Sequence, residues 1–156
     1  LLKISFIDQD LQAWKIPAPI TKTKTAFTSP ISDWYLKQLN RYRDQQQRLT
    51  GYTGVYLFPN TRGKPINKDK ANEYVQYISN HEWVAHDLRK LARTYWADHK
   101  VDYYIGELLL NHAVKGLDET YIRTTALHLK RDALTEWHFF LAQKKERKNL
   151  ADTKIA

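Results

Sequence analysis

The chain contains no cysteine and no methionine. Nor does it contain an apolar run approaching the ~18 residues that a membrane-spanning helix needs. Without cysteine there are no disulfides and no thiolate metal sites, which fits a reducing cytoplasm. The start, Leu1-Leu2-Lys3-Ile4-Ser5, lacks the features of a signal peptide, so a soluble, cytoplasmic, DNA-associated protein with no membrane partner is expected. No two histidines stand in an H-x3-H pair, so neither a metal nor a cofactor is expected. Methionine is missing even at position 1, and no arginine precedes Arg41. Residues 1–156 are therefore expected to be a piece of a longer protein, beginning partway through a strand.

What is present bounds the class. A chain of 156 residues suits one domain with a real core. Its apolar share of 42% is ordinary, and 10 Tyr with 5 Trp add bulky core material that carries polar handles. Lys and Arg together number 25 against 17 Asp and Glu, a net charge of +8. Nucleic acid is the first partner that such a balance suggests, against the plainer reading of cations that simply face water.

Patterning predicts an α+β fold that is mainly helical, with a small antiparallel β-meander at its N-terminal edge. Leu2-Lys3-Ile4-Ser5-Phe6-Ile7 alternates at period two, Trp14-Lys15-Ile16 forms a second short strand ended by Pro17 and Pro19, and Phe27 to Ser29 a third. A polar tip, Thr21-Lys22-Thr23-Lys24-Thr25, lies between the last two. A helix is expected over about Ile31 to Leu49, capped by Ser29 or Ser32, with Lys37, Arg41, Arg43 and Arg48 on its polar face. Val55-Tyr56-Leu57-Phe58 is a short apolar run stopped by Pro59, and Asn60 to Pro65 is turn-rich. Asn67 caps a helix to about Ile78. From Glu82 the chain reads as helical. Leu88, Leu91, Ala92, Tyr95 and Trp96 share one face of a helix starting near His86, and Tyr104, Leu108 and Leu109 mark a shorter one. Asp118 would cap a short helix that carries Tyr121. The last helix, about Ala126 to Lys148, shows Leu127, Leu134, Trp137, Phe140 and Leu141 on an apolar side.

Four residues carry chemistry through their spacing. Arg89 follows His86 in the run His86-Asp87-Leu88-Arg89, His112 comes 23 residues after Arg89, and Tyr121 nine after His112. Phosphodiester cleavage by a side chain needs an in-line nucleophile, stabilisation of the phosphoryl charge and a proton for the departing oxygen. A tyrosine ester stores the bond energy for rejoining, but the phenol needs cationic surroundings because its pKa is near 10. Arginine offers a planar bidentate fork to phosphate, histidine donates to phosphate oxygens or moves protons, and a lysine can protonate the leaving 5′ oxygen. Singly, each residue has an ordinary reading: a solvated arginine, a helix-start histidine, a loop histidine, one tyrosine among 10. Only the joint spacing raises them above it.

Ala85-His86-Asp87-Leu88-Arg89, then Leu110-Asn111-His112, then Tyr121, resembles the tyrosine recombinases, and phage and prophage integrases in particular. Leu57-Phe58-Pro59 with Arg62-Gly63-Lys64-Pro65-Ile66 is similar to the loop those integrases carry before their H-x-x-R helix. The resemblance covers nearly the whole chain. It implies the catalytic-domain fold of DNA breaking-rejoining enzymes, with Tyr121 as the nucleophile that forms a 3′-phosphotyrosyl bond. It further implies Arg89 as the second of two phosphate-clamping arginines, His86 assisting proton transfer and His112 hydrogen-bonded to the scissile phosphate. Counting eight residues back from Pro30 places the family lysine at Lys22, with Lys24 the alternative one register slip away.

The same resemblance implies double-stranded attachment-site DNA as partner and a homotetramer on DNA. It also implies a first arginine on a helix ahead of the first strand, usually followed three residues on by Glu. With no arginine before Arg41, that residue and a separate DNA-clamping domain are expected upstream in a parent protein, leaving residues 1–156 inactive or impaired alone. The function expected is site-specific integration and excision of a phage or genomic island. A type IB topoisomerase-like enzyme and a non-catalytic DNA-binding relic of a prophage integrase are the alternatives.

Overall fold

The computed structural model describes residues 2–22, 24–112 and 126–153, and the side chains of the last helix as far as Lys144. Three short strands, β1 (Ile7–Asp8), β2 (Ala13–Ile16) and β3 (Phe27–Pro30), form an antiparallel sheet in sequence order. Five helices follow: α1 (Asp33–Thr50), α2 (Lys68–Ile78), α3 (Ala85–Asp98), α4 (Tyr103–Leu109) and α5 (Ala126–Thr153). The fold is α+β and mainly helical, with the expected meander at its N-terminal edge.

Local chemistry explains most boundaries. Asp8 starts the first turn by accepting from Leu11 N–H at 2.9 Å and pairs with Lys15 at 2.6 Å across the hairpin. The hydrogen bond from Lys15 holds the Asp8 carboxyl below its ordinary value. Ile7 faces Trp14, Trp14 faces Ser29 and Ala13 faces Pro30. Pro30 is tolerated because it closes the strand at the sheet edge, where its missing N–H interrupts nothing. Ser32 caps α1 by accepting from Tyr35 N–H, and Asn67 caps α2 by accepting from Lys70 N–H. Gly51 ends α1 in the left-handed region at φ 68°.

Three expectations need correction. The alternating segment from Leu2 is not one strand: Lys3 makes an isolated bridge to Tyr56, Ile4–Phe6 is a turn of 3₁₀-helix, and Ile7 begins β1. The reason is that Ile4, Phe6 and Ile7 all pack onto one cluster, which an alternating strand would split between two faces. The short apolar run Val55–Phe58 supplies the Tyr56 end of that bridge, with Leu57 fully buried while Val55 and Phe58 are exposed. On α3, Ala92 and Trp96 are buried, but Leu88 and Leu91 stand half-exposed. The predicted apolar face is therefore only partly covered by described residues. The Asp118 cap and the helix carrying Tyr121 lie outside the described residues. The last helix extends past its predicted end at Lys148 to Thr153.

The core has two centres. Trp14, Ile31, Leu39 and Leu57 fill one, between the sheet and α1. Ala92, Trp96, Ile105, Leu110, Ala126 and Ala133 fill the other, among α3, α4 and α5. Leu134 and Trp137 also pack there, so this apolar side of α5 is used within the chain. Each fully buried large side chain contributes about 1.5–3 kcal/mol. Helix α5 joins the two centres. Lys130 donates to the Thr28 carbonyl at 2.7 Å from a buried position over the Phe27 ring, and Arg131 donates to Leu11 O at 2.7 Å and Ile31 O at 3.4 Å. On its other flank Trp96 Nε1 donates to Ala133 O at 3.2 Å. Among the described residues, no helix is long and apolar enough to cross a membrane.

A buried histidine completes the seam. His138 stacks on Trp34 and Tyr35, and its Nδ1 lies 2.5 Å from Ser32 Oγ. Ser32 Oγ thus meets both Tyr35 N–H, from which it accepts, and the His138 ring nitrogen. Burial lowers the His138 pKa from 6.5 to about 4. The folded value lies below the unfolded one, so this stabilisation is whole above pH ~6.5 and is lost as pH falls towards ~4, at most about 3 kcal/mol. In urea unfolding, His138→Phe is expected to be less stable than the wild type at pH 7. The gap between the two should narrow steadily towards pH 4, and a constant gap would rule the titration out.

Candidate active site

Arg89 and His112 meet where α3 crosses the end of α4. Val84 N–H is capped by Asp87 Oδ2 at 3.1 Å, which starts α3 and sets His86 in its first turn. Arg89 follows one turn later on the same side, and both are exposed. The hydrogen bond from Lys90, with that from Val84 N–H, keeps the Asp87 carboxyl below its ordinary value.

The end of α4 places His112. Asn111 adopts φ 54°, a left-handed conformation that asparagine tolerates better than most residues. Asn111 N–H then bonds Leu108 O at 3.1 Å and His112 N–H bonds Glu107 O at 3.0 Å, the paired bonds of a Schellman turn. This turn folds the His112 ring back over the helix it has just left. Arg89 Nη2 donates to Leu110 O at 2.5 Å, satisfying an orphan carbonyl at the negative end of α4, and lies 3.2 Å from His112 Nε2. Among the described residues the remaining N–H groups of Arg89 have no partner, so the fork stays open to an anion.

Beneath this pair sits an acid that the sequence reading passed over. Glu107 is buried; its Oε2 lies 2.7 Å from His112 Nδ1 and its Oε1 accepts from Arg93 Nε at 2.7 Å. Burial pushes the carboxyl up, but the hydrogen bonds from His112 and Arg93 and their charges outweigh it and leave Glu107 below its ordinary value. Two signals were available: a lone acid within the apolar stretch Ile105–Leu109, and Arg93 one helical turn beyond Arg89. Neither is diagnostic until α3 and α4 are packed together.

The other predicted residues are placed as follows. Lys22 lies exposed in the connection between β2 and β3 and makes no hydrogen bond or ion pair with Arg89 or His112. That connection is pinned by Thr21 Oγ1, which reaches Ala18 O at 3.0 Å and Thr25 O at 2.8 Å. Lys24 folds back with its Nζ on Pro19 O at 3.2 Å, whereas the Lys22 ammonium has no partner among the described residues. Tyr121 lies outside the described residues. Of the five predicted site residues, the structure thus joins Arg89 and His112 directly, sets His86 one turn from Arg89, and leaves Lys22 on its own loop.

An open arginine fork beside a histidine nitrogen, on an exposed surface of a basic mainly helical domain, has the donor chemistry that suits an anion. The Phage integrase family model matches residues 1–128, and the chain belongs to that family of tyrosine recombinases, which act on DNA by site-specific recombination. No curated protein and no solved structure matches the chain. Lys130, Arg131 and His138, which dock α5, fall beyond the matched residues.

The left-handed position at Asn111 gives a direct test of how His112 is set. Asn111→Ala should cost about 1 kcal/mol, because alanine lacks the short polar side chain that eases the left-handed conformation, while Asn111→Gly should be close to neutral. Thermal unfolding of the two variants checks this, and equal stability would show that the turn does not need this conformation.

Proposed function

We propose that the full-length protein cleaves and rejoins duplex DNA at attachment sites through Tyr121, to integrate and excise a phage or genomic island. The Tyr121 oxygen attacks the scissile phosphorus and its proton passes towards His86. The bond from phosphorus to the 5′ oxygen breaks, leaving a 3′-phosphotyrosyl ester, and the departing 5′ oxygen takes a proton from Lys22. Rejoining runs the same steps in reverse. Arg89 and His112 hold the non-bridging oxygens, where the charge is concentrated.

The observation that carries this reading is the convergence of Arg89 and His112, 23 residues apart in sequence, at 3.2 Å with unspent donors facing outward. Tyr121 stands nine residues after His112, the spacing on which the family resemblance rests. Lys22 is favoured over Lys24 because Lys24 already spends its ammonium on Pro19 O. Arg41, Arg43 and Arg48 on α1 supply further contacts to the phosphate backbone, which bind without reading sequence. Assembly as a homotetramer on DNA, coupling several such sites, belongs to the same proposal.

With a nicked duplex carrying the attachment site, the protein should form a covalent adduct that survives a denaturing gel. Tyr121→Phe should abolish the adduct, and its persistence would remove Tyr121 from the role. Lys22→Ala should slow cleavage by roughly 10²–10⁴-fold, the usual contribution of a general acid, with a much smaller effect from Lys24→Ala. The reverse order would exchange the two lysines.

A further inference from the structure

Glu107 occupies a position that the phosphate chemistry above does not use. It is the buried acid in a chain of contacts running Arg93, Glu107, His112, Arg89, which links α3 to the end of α4 and reaches the open arginine fork. We infer that Glu107 is the positioning residue of this site, fixing both the orientation of the His112 ring and the nitrogen from which its exchangeable proton works. The inference rests on the reading of His112 as a phosphate-binding residue.

The argument begins with donors and acceptors. An ionised carboxylate can only accept, so His112 Nδ1 must carry a proton and donate it to Glu107 Oε2. Glu107 stays ionised at neutral pH, because two donors, Arg93 Nε and His112 Nδ1, each take one of its oxygens. In the neutral ring Nε2 then holds a lone pair, which is what an arginine N–H at 3.2 Å requires. The Nδ1 proton stays on that nitrogen, hydrogen-bonded to Glu107, in the neutral ring and the imidazolium alike. Only Nε2 gains and loses a proton, and Nε2 is the nitrogen beside the Arg89 fork. A phosphate oxygen arriving there meets Arg89 donors and an Nε2 that can donate once it is protonated. An outward-turned ring, or the opposite tautomer, would present neither in register.

The backbone supports the same assignment. The Schellman turn closes with His112 N–H on the carbonyl of Glu107, so one residue holds His112 through both its main chain and its side chain. Glu107 is itself buried and tied to α3 through Arg93. Arg93 also lies over the Tyr103 ring at 5.6 Å, which fixes the far end of the chain of contacts.

Glu107→Gln tests this with little change of shape. An amide has one accepting oxygen for two donors, so it cannot satisfy both Arg93 and His112 Nδ1–H. In the full-length protein, nitrogen–proton correlation spectra of the histidine rings, assigned through His112→Gln, should show an Nδ1–H ring at His112 that Glu107→Gln converts to the Nε2–H form or a mixture. Adduct formation on the nicked duplex should fall roughly 10–100-fold in Glu107→Gln, as for other partners that orient a working histidine, with DNA affinity held. Arg93→Gln cuts the same tie between α3 and α4 but leaves the acceptor for His112. It should keep the Nδ1–H signature and lose less cleavage. An unchanged His112 signature in Glu107→Gln would overturn the inference, as would equal losses in Glu107→Gln and Arg93→Gln, which would make Glu107 a structural tie alone. The nitrogen spectra read the positioning whatever the nucleophile, so an adduct that persists in Tyr121→Phe would count against the cleavage reading and not against Glu107.

Discussion

The docking of α5 across the sheet is the constraint on which the rest of this structure depends. The meander and α1 form one small core, and α3 with α4 form another. Neither is large enough to bury its apolar residues alone, and α5 holds them together. It does so through polar atoms placed where apolar packing would not fix a register: Lys130 on Thr28 O, Arg131 on Leu11 O, and the ring of His138 against Ser32. Hydrogen bonds from charged groups to backbone carbonyls contribute about 1.5–3 kcal/mol each when partly buried. Their larger effect is specificity, since each requires one rotation of the helix about its axis. Ser32 illustrates the economy of the seam: one hydroxyl caps α1 and meets His138 of α5.

The consequence for the site is positional. Ala126 at the start of α5 sits in the same cluster as Leu110 at the end of α4. His112 and Ala126 are the described residues that flank Tyr121 in sequence. The first is set by Glu107 and the Schellman turn, the second by its burial. Arg89 and His112 thus stand on a floor made of α3, α4 and one buried carboxylate. That division suits transition-state electrostatics, where donors that are already aimed need no reorganisation when charge develops.

Much of this was legible in the sequence. The caps at Ser32 and Asn67, the glycine end of α1 and the starts of α3 and α5 are local signals read over three or four residues, and they fell where expected. His86, Arg89 and His112 carried the family resemblance directly, and the family match over residues 1–128 agrees with it. The failures were of another kind. Leu2 to Ile7 alternates like a strand, yet its apolar residues turn to one cluster through a 3₁₀ turn. Leu88 and Leu91 fit the helical stripe of Ala92 and Trp96 but remain half-exposed, because a stripe says which residues share a face and not how wide a neighbour covers it.

The sequence by itself determined the class of chemistry and most helix boundaries, because caps, turn residues and motif spacing act through contacts close along the chain. Only the tertiary structure decided which groups face one another. Glu107 looked like an unremarked acid in a short apolar helix until α3 brought Arg93 to one of its oxygens and the turn at Asn111 brought His112 to the other. Counting placed Lys22 first with Lys24 one register slip away, and only the folded loop shows Lys24 bent back onto Pro19. The physical reason is the same in both cases. A hydrogen bond depends on distance and direction to within a few tenths of an ångström, and positions far apart in sequence acquire that relation only through packing.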